Sequence, residues 1–126
     1  MHQLNQHEII VAYVAGNRFG ELIGISFEIK EIAAHGGLLA ALMDGALGIA
    51  ALSVVVDRQQ IVATVEMNVK YLRPVLIGDQ IVAKAEVVQA GKRLLFSEAK
   101  VFNQKEELVA IGTGTFNAYP KEKAGY

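Results

Sequence analysis

The run from Leu38 to Val56 constrains this chain more than any other stretch. Its nineteen residues carry one charge, Asp44, and one hydroxyl, Ser53. A helix apolar on every side must be wrapped by other elements or by lipid. Length alone suits a bilayer span. That reading puts Asp44 near the membrane centre and leaves the amphipathic strands in the rest of the chain without a surface to cover. The expectation is a central helix from about Gly37 to Ser53, enclosed by a sheet, with no membrane partner.

The sheet is legible by alternation. Ile25-Ser26-Phe27-Glu28-Ile29-Lys30 reads as a half-buried strand. Ile61 to Leu72 places Val65, Met67, Val69 and Tyr71 on one face and Thr64, Glu66, Asn68 and Lys70 on the other. Gln80 to Gln89, Arg93 to Phe102 and Leu108 to Ala118 complete it, the last two joined to their predecessors by short polar hairpins. Apolar positions Ile9, Ile10, Ala12, Tyr13 and Val14 predict a short helix over about 5–15, closed by Gly16-Asn17. No repeat or linker divides the 126 residues, so they read as one α+β domain, an antiparallel sheet wrapped around one long helix. Between Ser26 and His35 no Gly, Pro, Asn or Asp turns the chain, and a strand runs almost directly into the helix.

Composition excludes more than it selects. The net charge is −1, from 12 Lys+Arg against 13 Asp+Glu, so no nucleic-acid partner is expected. Cysteine is absent, which rules out disulfides and thiolate metal sites. His2 and His7 have no companions at metal spacing, and no metal site is expected. Met1 to Gln6 lacks the basic start and apolar run of a signal peptide, and a cytoplasmic location is expected.

The chemistry gathers at the start of the central helix. His35-Gly36-Gly37 opens it, and Asp44 follows nine positions after His35. Glycines at a helix N-terminus leave backbone N–H groups open to a ligand. A carboxylate in an apolar helix is either a hydrogen-bonded structural acid or a group placed for chemistry. Together they supply a base or nucleophile and an electrophile-activating site, the minimum for acyl transfer. Each has a structural alternative: His35 as a helix-entry residue, and Gly36 and Gly37 as close-packing residues.

These residues resemble the hotdog-fold acyl-CoA thioesterases of the phenylacetate-degradation and 4-hydroxybenzoyl-CoA thioesterase type. The likeness runs through Phe19 to Ile25, His35-Gly36-Gly37 with Asp44, Val65 to Pro74, Gly78-Asp79, Gly91-Lys92-Arg93 and Val109 to Phe116. It implies a single hotdog thioesterase domain over 1–126. It also implies hydrolysis of an acyl-CoA to free acid and CoA, with CoA as part of the substrate and no separate cofactor. Asp44 would be nucleophile or general base, and the Gly36 N–H, helped by that of Gly37, would polarise the thioester carbonyl. His35 would orient the loop or touch the acyl carbonyl. Arg73, Gly91, Lys92 and Arg93 are candidate CoA contacts, or solvated charges beside turns; Met43 and Leu47 are candidates for the acyl pocket. A non-catalytic acyl-CoA sensor is the competing function. One departure stands out: the family's further strand and polar residue before His35 have no counterpart in Glu28 to Ala34.

Spacing adds a constraint. Gly36 and Asp44 are eight residues apart, ~12 Å along one helix. A donor and a nucleophile that share one carbonyl lie at most roughly 6–7 Å apart. One helix cannot supply both, so the chemistry implied by the resemblance requires a homodimer with two composite sites. The family adds the expectation of a dimer of dimers.

Overall fold

The computed structural model describes residues 8–9, 23–28 and 36–125, the first two stretches as backbone. Its helix, α1, is Gly36–Val55. Its strands are β1 (Glu8–Ile9), β2 (Ile23–Glu28), β3 (Gln60–Tyr71), β4 (Gln80–Ala90), β5 (Leu94–Phe102) and β6 (Leu108–Pro120). They form one antiparallel sheet in the order β1-β2-β4-β5-β6-β3. Hairpins make β4, β5 and β6 neighbours. The β3 strand, directly after the helix, crosses to the far side and, among the described residues, pairs only with β6.

Strict alternation drives this arrangement. In β5, Leu95, Ser97, Ala99 and Val101 are buried, while Leu94, Phe96, Glu98 and Lys100 are exposed. The buried set meets Leu39, Leu42, Met43, Ala46, Leu47, Ala50, Ala51, Val54 and Val55 of α1. Close approach is made possible by Gly112 and Gly114 on β6. A Cβ on Gly112 would lie 2.9 Å from the Asn68 carbonyl oxygen and 3.0 Å from Met43 Cγ. One on Gly114 would lie 2.9 Å from Phe116 Cε1.

The helix and strand expectations hold closely, with three corrections. Of the helix expected over about 5–15, the described residues Glu8 and Ile9 are strand, paired with Phe27 and Ser26 of β2; the rest lies outside the described residues. Hydrogen bonds along the edge of β2 outweigh local helical periodicity there. The second correction is to the wrapping of α1. Gly37, Ala41, Asp44 and Gly45 are exposed, a stripe at helical spacing that the sheet leaves open. The segment Gly36–Arg58 is long and apolar enough to cross a membrane, and half of its apolar window is buried in the chain's own core.

The third correction lies in β3. The register slips between Thr64 and Glu66, so that Thr64 pairs with Phe116 and Glu66 with Thr115. A bulge absorbs Val65, which is 58% exposed. Thr64 thereby turns to the helix side, with Met67 and Val69, against the face its spacing predicts.

Candidate active site

The α1 helix begins at Gly36, where the sequence places the two glycines. Tyr71, at the end of β3, covers this terminus. Its hydroxyl donates to the Gly36 carbonyl at 3.0 Å. A Cβ on Gly36 would meet the Tyr71 ring at 3.2 Å, so glycine lets the ring lie against the helix start. Gly36, Leu39, Tyr71, Arg73 and Val75 line an open groove of about 420 Å³. His35 lies outside the described residues.

Two turns along, Asp44 stands on the open stripe of α1. The Thr64 hydroxyl donates to its Oδ1 at 3.1 Å. The other carboxylate oxygen has no hydrogen-bond partner among the described residues. The carboxylate is therefore neither buried nor a satisfied structural acid. It is oriented by one hydroxyl, is exposed, and borders the edge of β3 that has no partner strand among the described residues.

The expected substrate contacts separate into three places. Arg73 lies in the groove beside Gly36, 3.5 Å from Glu107 and 54% exposed. That guanidinium, after the Asn103 amide, holds the Glu107 carboxyl below its ordinary value. Gly91 and Lys92 lie beyond the other end of the helix. With Arg58 and Gln60 they line a separate groove of about 530 Å³, and Arg58 Nη1 donates to the Gly91 carbonyl at 3.2 Å. Arg93 is exposed next to this hairpin, its carbonyl accepting the Ala118 N–H at 2.7 Å. Met43 and Leu47, the candidates for the acyl pocket, form the third place, on the helix itself. Both are fully buried, packed under Gly112 and Gly114, because they sit on the sheet side of α1 and not on its open stripe.

The loop between β3 and β4 carries Arg73 and Val75 into the first groove, and Asp79 anchors it. Its Oδ2 accepts the Leu76 N–H at 2.9 Å and its Oδ1 the Gln104 amide at 2.9 Å. Both donors favour the charged form and lower the Asp79 pKa from the ordinary 3.8, the Leu76 N–H most strongly.

Thr64, Tyr71 and Arg58 complete these sites and were not singled out from the sequence. Thr64 is hidden by the bulge, and Tyr71 reads as one more apolar strand residue. Arg58 carries a signal, a cation directly after an apolar helix, but its partner Gly91 is 33 positions away.

Residues 33–110 match the family model described as the thioesterase superfamily. The human acyl-coenzyme A thioesterase 13 is 35% identical over 82 residues, 64% of this chain and 57% of that protein. The chain thus spans little more than half the length of the mammalian relatives it matches. Among solved structures, a thioesterase of Haemophilus influenzae superimposes with a TM-score of 0.82 at 17% identity, covering 99% of this chain and 85% of the other. A hypothetical thioesterase of Streptococcus pneumoniae, solved with coenzyme A, gives a TM-score of 0.71 at 22% identity, covering 87% of each chain.

Proposed function

Because this chain belongs to the thioesterase superfamily and has its hotdog fold, we propose that it hydrolyses acyl-CoA thioesters to the free acid and CoA. The observation that carries this reading is the Asp44 carboxylate. It is the sole charge on α1, held by the Thr64 hydroxyl and presented on the open stripe. A ligand sensor has no use for such a group, whereas hydrolysis needs one.

In the general-base route, Asp44 takes a proton from water, and the hydroxide oxygen bonds to the thioester carbon. In the nucleophilic route, its oxygen bonds there first and water later cleaves the anhydride. In both, the C–S bond breaks and CoA leaves as the thiolate, which takes up a proton. The developing oxyanion is stabilised by the Gly36 N–H and the positive end of α1. The Gly37 N–H is assigned to helping that of Gly36, and His35 to orienting the loop or touching the acyl carbonyl.

Asp44 and Gly36 of one helix stand too far apart for one carbonyl, so the site is assigned to a dimer. Two features of the chain support this. Among the described residues the outer edge of the 12-residue β3 strand has no partner strand, which makes it an open template for a second β3. The open stripe of α1 adjoins that edge, since Thr64 of β3 reaches Asp44. A two-fold axis across paired β3 edges sets the helices side by side and antiparallel, with Asp44 of one beside Gly36 of the other. The groove of Arg58, Gly91 and Lys92 and the groove of Arg73 are the two candidate seats for CoA phosphates.

The test is turnover on a panel of acyl-CoA thioesters, with CoA release followed by a thiol reagent. Asp44→Asn is expected to lower kcat at least ~100-fold while acyl-CoA binding persists. Tight binding with no hydrolysis anywhere in the panel by the unaltered protein would establish the sensor instead. Single turnover in ¹⁸O-water identifies the nucleophilic route when water cleaves the anhydride at the Asp44 carbon: the first product is then unlabelled and carries enzyme oxygen, whereas the general-base product carries the label.

A further inference from the structure

Two glycines make a loose start for a helix. Gly36 and Gly37 have no Cβ to limit their backbone angles, so the unaided chain samples many conformations there. No acidic side chain stands in the first turn to meet the positive end of α1. The hydrolytic reading nevertheless asks the Gly36 N–H to point at one place, the oxygen of the thioester. A donor already aimed stabilises an oxyanion better than one that must first be oriented.

Tyr71 supplies the constraint. Its backbone closes the β3 ladder against Ala110 of β6. The next two N–H groups, of Leu72 and Arg73, both donate to the Val109 carbonyl, at 2.8 and 3.2 Å. The root of the side chain is thus fixed by the sheet, and its ring reaches across to the helix. There it makes two contacts with one residue. The hydroxyl donates to the Gly36 carbonyl at 3.0 Å. The ring covers one side of the Gly36 Cα, where a Cβ would stand 3.2 Å from Cζ and 3.5 Å from Cε1. The carbonyl has a lone pair to spare, since the helix uses only one, for the N–H four residues on. With its carbonyl pinned and one side of its Cα blocked, Gly36 cannot turn as a unit, and its N–H keeps one direction. The bond also acts along the peptide. A donor on the Gly36 carbonyl polarises the plane that this carbonyl shares with the Gly37 N–H.

We propose that Tyr71 is a positioning residue of the hydrolytic site, a role that rests on the thioesterase reading. Its phenol and ring hold the glycine start of α1 in the orientation that receives the oxyanion. It acts through the backbone and not on the substrate. A tyrosine 51% exposed on the wall of a groove invites the simpler role of an acyl contact, and the two roles separate in kinetics.

Tyr71→Phe keeps the ring and removes the donor, and Tyr71→Leu removes both; circular dichroism checks that each keeps the fold. In Tyr71→Phe, kcat is expected to fall about tenfold, by the same factor for every acyl group, while KM stays within about twofold. In Tyr71→Leu the loss should reach about 100-fold. An S-alkyl-CoA thioether, with the chain and CoA but no carbonyl, should bind Tyr71→Phe as tightly as the unaltered protein. The Ala40 amide, the helical partner of the Gly36 carbonyl, should exchange its hydrogen about tenfold faster in Tyr71→Phe. A kcat unchanged in Tyr71→Phe overturns the proposal, as does unchanged exchange at Ala40. A loss of kcat matched by weaker thioether binding overturns it too, and makes Tyr71 an acyl contact. Absent turnover in the unaltered protein is a separate failure, which removes the hydrolytic reading and this role with it.

Discussion

Thr64 is the residue on which the reading of the site turns. Without its hydroxyl the Asp44 carboxylate loses the one donor that orients it. A hydrogen bond to a charged group is worth about 1.5–3 kcal/mol. Thr64→Val is accordingly expected to lower kcat by roughly 10- to 100-fold, and Thr64→Ser to restore most of it; steady-state kinetics on one acyl-CoA decides. Gly112 acts through space instead of chemistry. Its missing Cβ leaves room for the Asn68 carbonyl and Met43. Since a backbone oxygen cannot swing aside, Gly112→Ala is expected to cost about 1–3 kcal/mol in urea unfolding. Asp44 itself was visible from the sequence as the lone charge in an apolar run. Its exposure was not, because burial depends on which side of the helix the sheet covers.

At the scale of elements, the strands after the helix were legible almost to their ends because alternation is a local record of a two-sided environment. The exception was β3. Its alternation continues unbroken through Thr64, Val65 and Glu66, while the ladder to β6 skips a residue. Nothing in the side-chain pattern marks a bulge that the pairing partner imposes. The β3–β4 loop is held differently, by Asp79 between the Leu76 N–H and the Gln104 amide. These donors place its folded pKa below the ordinary 3.8. The stabilisation is therefore complete above about pH 4 and is lost as the pH falls through that lower folded value. Asp79 is half-buried on a loop open to solvent, so the effect is expected to stay below about 1 kcal/mol. Stability followed from pH 5 to pH 2 should fall more steeply in the unaltered protein than in Asp79→Asn; parallel curves would remove the clamp from the account.

At the scale of the whole molecule, the spacing of Gly36 and Asp44 makes assembly part of the chemistry. The open stripe of α1 offers a direct check. Ala41 is exposed in the single chain, on the open stripe between the helix start and Asp44. Ala41→Glu is expected to leave the fold intact while keeping two helices apart. Particle mass and turnover should then drop together; full turnover in a variant of single-chain mass would show that one chain suffices.

The amino-acid sequence by itself determined the single long helix, the strands that follow it, the glycine start and the acid eight residues beyond Gly36. All of these follow from local periodicity, composition and spacing, which need no knowledge of neighbours. Only the tertiary structure decided that Thr64 faces Asp44, that Tyr71 caps Gly36, and that Arg58 joins Gly91 at the far end of the helix. It also decided that Met43 and Leu47 belong to the core. Each of those pairings links residues distant in sequence. Their geometry is set by sheet register, a bulge and the uncovered side of one helix, quantities that exist only once the chain has closed on itself.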